Sequence, residues 1–529
     1  MSISDDIAAA SEAINRNDLA QAEALVQSVE AQLADREGER AHDTWANLAA
    51  IMIDLGARAG REDLLEKGTS LTVRVLKDLP EAAVWPGLYY NAANGYLALW
   101  ERRKSAALHG GLLDDTYLQA KAYYRKALQA SSHRPGDLPR DLRCQILVNY
   151  ANCLHGMGRS VEAISLYDQA LALDPGMPQA LGNKAVTLYH LAFLAEGHTH
   201  LFLAEARRLL QEALQGPTDA HAEARFEQVL SRIDRVIQAH PQFQTEPVES
   251  EPAKSPFHEF LRKYCARNQL FLTPTALVGR HDALVFGDPM FITHMAAPLD
   301  DDAKFDRYIT FLDQIKEDYV LARYLLVQSQ YRSPTVDAID AAVTLYYPLD
   351  YSLHGAYINM LKTSTRLATD VLDKIANFVR DYCGLSSPSE SSANFRNIWS
   401  ERSSRHTLRP ELAAQRNRFI YALFDLSLDL GQGGPYGFAY ERRNALTHRF
   451  LAVHDPIAQA PANADIPRVT LPQFLDECLL TMQIARAALM YLILFVDSQE
   501  RRSHRGDHAL AIQGTPVDDA LRWTPAQSD

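Results

Sequence analysis

The stretch CQILVNYANCLHGMGRSVEAISLYDQALALDPG, residues 144–176, decides the fold of the first half of the chain. Small residues recur at Ala151, Ala163 and Ala170, and large ones at Leu147, Leu154 and Tyr167. The small positions let two helices cross closely and the large ones fill the space between them. Pro175 closes the unit, because proline lacks a backbone N–H and its ring clashes with the preceding turn.

This pattern resembles the tetratricopeptide repeat, a helix pair of about 34 residues. One period after Ala151 comes Ala185, inside LGNKAVTLYHLA (181–192). The partner helix there is LAEARRLLQEAL (203–214), with Ala206, Leu210 and Ala213 in the same roles; FLAEGHTHLF (193–202) carries an insertion. Upstream, YYNAANGYLALW (89–100) aligns Ala93 with Ala151, and its second helix, YLQAKAYYRKAL (117–128), is delayed by ERRKSAALHGGLLDD (101–115). WANLAAIMIDLG (45–56) reads as an earlier, degenerate unit. The resemblance implies a helical solenoid of three to four repeats, capped by a helix at 222–239, and a face that binds a peptide or a partner protein. The solenoid is expected over residues 1–239.

HPQFQTEPVESEPAKSP (240–256) has four prolines and no apolar period, which marks a linker. Beyond it the apolar residues return at helical spacing. The expected helices are 305–326, 357–385, 412–431, 440–454 and 471–500, and long helices with modest loops imply an antiparallel bundle over 257–500. Residues 501–529 read as a flexible tail.

The chain has 529 residues, too many for one core, and a formal net charge of −13. An acidic chain does not coat nucleic acid at large, so any anionic polymer must meet a local basic patch. Five cysteines (Cys144, Cys153, Cys265, Cys383, Cys478) form no close pair, which argues against a disulfide framework or a structural zinc and for a reducing, cytoplasmic setting. The most apolar run, AALMYLILFV (487–496), is too short to span a bilayer and reads as a buried helix. No phosphate-binding loop, His-Glu-x-x-His zinc motif or Gly-x-Ser-x-Gly elbow occurs.

The densest chemistry is YERRNALTHRF (440–450), directly after the loop GQGGPYG (431–437). With 53 Lys and Arg and 18 His in the chain, a basic residue five before a histidine arises by chance about twice, so spacing alone is weak. Its setting is stronger. FLRKYCARNQLFLTPTALVG (260–279), IKEDYVLARYLL (315–326) and LATDVLDKIANFV (367–379) resemble the LA2681-type branch of the HEPN superfamily, helical bundles of prokaryotic toxins, defence proteins and RNases. RNALTH (443–448) is similar to the hallmark of that superfamily: an arginine, a polar residue, then a histidine.

The resemblance implies a metal-independent endoribonuclease in a toxin-like or anti-phage role, with Arg443, Asn444 and His448 as catalytic residues and no cofactor. His448 would deprotonate a ribose 2′-hydroxyl or protonate the leaving 5′-oxygen. Arg443 would hold the scissile phosphate, and Asn444 would orient His448 or a phosphate oxygen. On a helix, Asn444 and His448 share a face, whereas Arg443 and His448 lie about 140° apart. Either the arginine leans around, or two chains pair and share one cleft, as HEPN RNases are thought to do; a homodimer is expected. The bland alternative is a solvated helix face with Glu441 paired internally and His448 satisfied in the core.

A second basic stretch, FRNIWSERSSRHTLRPELAAQRNRF (395–419), offers Arg402, Arg405 and Arg409 as phosphate contacts and Trp399 as a stacking platform for RNA; a solvated loop is the competing reading. The competing function is a non-catalytic interaction or nucleotide-binding scaffold. No membrane partner is expected.

Overall fold

The computed structural model describes residues 3–34, 42–81, 84–106, 113–132, 138–194, 198–240, 252–279, 285–293, 295, 302–345, 351–401, 404–457 and 466–503. Residues 241–251 of the expected linker, 504–529 of the expected tail, and Arg402 lie outside the described residues. The chain divides into two compact units: Met1–Thr187 with Ala206–Val236, and Leu188–Glu205 with Ile237–Asp529. The expected all-α class holds, with helix-pair repeats first and a helical bundle after them.

The first unit opens with α1 (Ile3–Asn15) and α2 (Leu19–Ala34), followed by α3 (His42–Ala59), α4 (Glu62–Asp78), α5 (Pro86–Ala106), α6 (Asp115–Ser132), α7 (Arg140–Gly156) and α8 (Ser160–Leu173). Each consecutive pair packs together, and α1 touches α3, α3 touches α5, and α5 touches α7, the stacking of a helical repeat. The pair α1–α2 has no counterpart in the sequence reading, which found its first unit at Trp45. The quoted repeat shows why the pairs close. Ala151, Ala163 and Ala170 are fully buried, and the Tyr167 hydroxyl donates to Asn152 Oδ1 at 2.6 Å. Between α7 and α8 the chain turns at Gly158, whose φ of +95° suits glycine, and the Arg159 N–H satisfies the Leu154 carbonyl at 2.9 Å. Further on come α9 (Pro178–Ala192), α10 (Thr199–Ala213) and α11 (Ala220–Ala239).

The second unit contains α12 (Pro256–Arg267), α13 (Asp302–Gln328), α14 (Pro334–Asp340), α15 (Ala356–Tyr382), α16 (Pro410–Ala413), α17 (Arg418–Asp429), α18 (Phe438–His448), β1 (Ala452–His454), β2 (Arg468–Thr470) and α19 (Leu471–Ser503). α19 packs against α13, α15, α17 and α18, and α15 also carries α13 and α18. Among the described residues α19 is the one helix long and apolar enough to cross a membrane, yet 83% of its most apolar stretch is buried within the protein. It is the core helix that its composition suggested.

Three elements differ from expectation. The helix expected over 412–431 breaks at Arg416, where φ is +47°, and Asn417 restarts it by accepting from the Phe419 N–H at 2.9 Å. The helix expected over 440–454 stops at His448, because Arg449 is extended. The residues after it form β1, which pairs in parallel with β2 and bridges to Ser352, a small sheet that the sequence reading did not anticipate.

Candidate active site

The loop before α18 is held by its own backbone. The Gly434 N–H donates to the Gly431 carbonyl at 2.9 Å, and the Tyr436 N–H to the Asp429 carbonyl at 2.9 Å. A Cβ on Gly434 would lie 2.3 Å from the Asp429 carbonyl oxygen, so only glycine lets the chain pass that close. This turn sets the line on which α18 leaves α17.

α18 has an anchored side and an open side. On the anchored side Ala439, Tyr440 and Ala445 are buried. Arg442 forms a two-pronged ion pair with Glu477 of α19, at 2.6 and 3.0 Å. The Tyr440 hydroxyl donates to Asp373 Oδ1 of α15 at 2.6 Å, and the Phe395 N–H donates to the same oxygen at 3.0 Å. The Arg396 guanidinium lies 4.2 Å from the centre of the Tyr440 ring. On the open side Asn444 and His448, four residues apart, are both exposed. The bland alternative of a core histidine therefore does not hold.

Arg443 stands between the two sides and is half-buried. Its Nε is 3.5 Å from Asp370 Oδ1 and its Nη2 is 3.9 Å from Asp373 Oδ2, both carboxylates on α15. Its Nη1 reaches Asn444 Oδ1 at 3.5 Å. The long side chain thus reaches both α15 and the neighbouring Asn444. Burial pushes the Asp370 carboxyl above its ordinary range; Arg443 pulls it back and Asp373 adds to the rise. Burial and then Asp373 push the Tyr440 phenol well above its ordinary value, so it stays a hydrogen-bond donor.

The second basic stretch contributes differently than expected. Trp399 is fully buried: its indole N–H donates to the Phe395 carbonyl at 2.6 Å and its ring meets Phe395 edge-on, so it offers no face for stacking a base. That expectation is corrected. Arg405 is exposed and Arg409 is half-buried, with its N–H donating to the Trp399 carbonyl at 2.8 Å. What this stretch brings is Arg396, over the Tyr440 ring of α18, and the Phe395 N–H, donated to Asp373 of α15. The sequence reading also missed Asp370, Asp373, Tyr440 and Glu477. Their signal was present: two carboxylates three apart on one helix face in ATDVLDK, and a tyrosine just before the arginine cluster. Among the described residues, no group of three or more His, Cys, Asp or Glu converges as a metal set.

No curated protein matches the chain. The crystal structure of the apo form of RapI aligns with 84% of this chain and 97% of its own at 12% identity, with a TM-score of 0.32, too low to define a shared arrangement. The family model of the LA2681-like HEPN domains matches residues 299–499, which span α13 to α19 and hold Arg443, Asn444 and His448. The bundle around α18 is thus the part of the chain that is similar to the LA2681-like HEPN domains.

Proposed function

We propose that the HEPN domain is a metal-independent endoribonuclease that acts through Arg443, Asn444 and His448. The observation that carries the reading is the open side of α18, where His448 and Asn444 stand exposed one turn apart and Arg443 reaches Asn444. Histidine exchanges a proton near neutral pH, so His448 takes the 2′-hydroxyl proton or supplies one to the 5′-oxygen. The 2′-oxygen attacks the adjacent phosphorus and the bond to the 5′-oxygen breaks. The products are a 2′,3′-cyclic phosphate and a 5′-hydroxyl, and DNA, which has no 2′-hydroxyl, is spared. Arg443 opposes the charge that grows on the phosphoryl oxygens. Pairing of two chains would supply two histidines to one cleft, one for each proton transfer. Arg405 and Arg409 are candidate phosphate contacts. In this reading the repeat unit binds a protein or peptide that restrains or triggers the nuclease, in a toxin-like or anti-phage role in the cytoplasm.

The test is incubation of the full-length protein with total RNA in the presence of EDTA. Cleavage should persist under chelation and fall at least about 100-fold in His448→Ala with the fold intact. Cleavage lost to EDTA, or retained in His448→Ala, would overturn the reading. One observation favours a second reading, a non-catalytic scaffold: Arg443 is already engaged by two carboxylates. Under that reading wild type and His448→Ala behave alike towards RNA and when expressed in cells.

A further inference from the structure

We infer that Asp370 and Asp373 of α15 are positioning residues that aim the Arg443 guanidinium at the phosphate site; the inference rests on the nuclease reading above. A helix places Arg443 about 140° from His448, so its side chain needs a second anchor to serve the same site. The two carboxylates provide it. They face Nε and Nη2, which share one edge of the guanidinium, at 3.5 and 3.9 Å. Nε is buried, so this edge of the guanidinium is committed to the interior and to the two carboxylates. Nη1 is left at 3.5 Å from Asn444 Oδ1, on the exposed face that also carries His448.

The anchor is itself fixed. Asp373 Oδ1 accepts from the Tyr440 hydroxyl and from the Phe395 N–H, which leaves Oδ2 turned to Arg443. Tyr440 lies three residues before Arg443 on α18, so one carboxylate ties the helix and the arginine together. Arg396, stacked on Tyr440, closes the same corner. Asp370 is held less: its side chain is 36% exposed, its ion pair is with Arg443, and Arg366 adds a weaker attraction.

The two carboxylates act in opposite senses on binding and on turnover. They hold the guanidinium still, which favours the transition state, and they lower the local positive potential, which weakens the hold on any RNA backbone. Removing one charge should therefore separate kcat from KM. A merely structural role would lower kcat, raise KM and cost stability together.

The decisive variant is Asp370→Asn in the full-length chain. The expected result is a kcat for RNA cleavage lower by about tenfold, with KM unchanged or lower and rescue by Asp370→Glu. A kcat equal to wild type, or a KM that rises in step with the fall in kcat, overturns the inference. A second measurement does not depend on cleavage: binding of a 2′-O-methyl RNA, which cannot be cut. Asp370→Asn should tighten binding about two- to tenfold in the wild-type background, and the gain should vanish in Arg443→Ala. Equal gains in both backgrounds would show that Asp370 does not act through Arg443. If wild type fails to cut RNA, the nuclease reading falls, and this double-mutant cycle still decides whether Asp370 and Arg443 act as one unit.

Discussion

Tyr440 is the residue on which the candidate site turns, although it faces away from the exposed side. Its hydroxyl is buried and donates at 2.6 Å to a carboxylate that also faces Arg443. A hydrogen bond to a charged group contributes more than a neutral one, because the carboxylate has lost water and needs each donor. Tyr440→Phe keeps the ring and deletes that donor, so it should destabilise the protein by about 1.5–3 kcal/mol, read as a lower urea midpoint at unchanged slope. An unchanged midpoint would mean that Asp373 is adequately served without it. Arg443, Asn444 and His448 were singled out in the sequence because RNALTH is similar to a family hallmark in its setting, whereas their spacing alone was weak. Asp370 and Asp373 were not singled out, because they sit in another helix whose apolar period drew attention to its other face. Trp399 was misread for a related reason. A tryptophan among arginines suggests a stacking platform, but only the packing of Phe395 against it reveals that the ring is inside.

The turn between α17 and α18 carries a requirement that glycine content alone understates. Gly433 has φ of +76° with open space where a Cβ would stand, whereas Gly434 needs its bare Cα because a Cβ would press on the Asp429 carbonyl at 2.3 Å. Gly433→Ala should cost about 1–2 kcal/mol, the penalty of a left-handed alanine. Gly434→Ala should cost more, since backbone rather than a flexible side chain must move, and it should also reorient α18 and depress any activity that depends on Arg443 and His448. Urea unfolding of the two variants checks the order; a larger loss for Gly433→Ala would contradict it. The sequence announced a turn here and the helices on either side, since both are long-range features of the apolar period. It did not announce where α18 stops. β1 and β2 have three residues each, too few for an alternating pattern to stand out, and their pairing joins segments that are apart in the chain. The break at Arg416 was hidden likewise, because the apolar residues on both sides of it continue at helical spacing.

At the scale of the molecule both units bury charge within apolar packing, Lys121, Arg159 and Lys184 in the first and Arg323 and Arg486 in the second. The repeat unit relies on alanines and aromatics at recurrent positions, which is why its repeats could be read by aligning segments of the chain. The core of the second unit contains charge, which no periodicity reveals. Arg323 of α13 sits in VLARYLL (320–326), on a face that is otherwise apolar, and is 5% exposed. It pairs with Asp288 through two bonds of 2.6 and 2.7 Å, donates to the Leu270 carbonyl at 3.1 Å, and lies 4.7 Å from the centre of the Phe271 ring. Tyr319 also donates to the Leu270 carbonyl, and Arg486 of α19 to the Phe271 carbonyl, so the non-helical stretch after α12 is held by side chains of two core helices. Asp288→Asn keeps the shape and the acceptor for the Leu272 N–H, but it leaves the Arg323 charge buried without its counter-ion. Breaking a buried pair from one side typically costs about 3–5 kcal/mol, while replacing both partners by apolar residues costs far less. Asp288→Asn should therefore destabilise the second unit by roughly that amount, and adding Arg323→Met should recover much of it. Hydrogen exchange on the full-length chain gives the readout: amides of α13, α15 and α19 should lose protection in Asp288→Asn, those of α3 to α8 should keep theirs, and the double variant should be better protected than the single. A double variant less protected than the single would mean that Arg323 holds the 270–272 segment chiefly through its carbonyl contact, and that the charge pair is secondary.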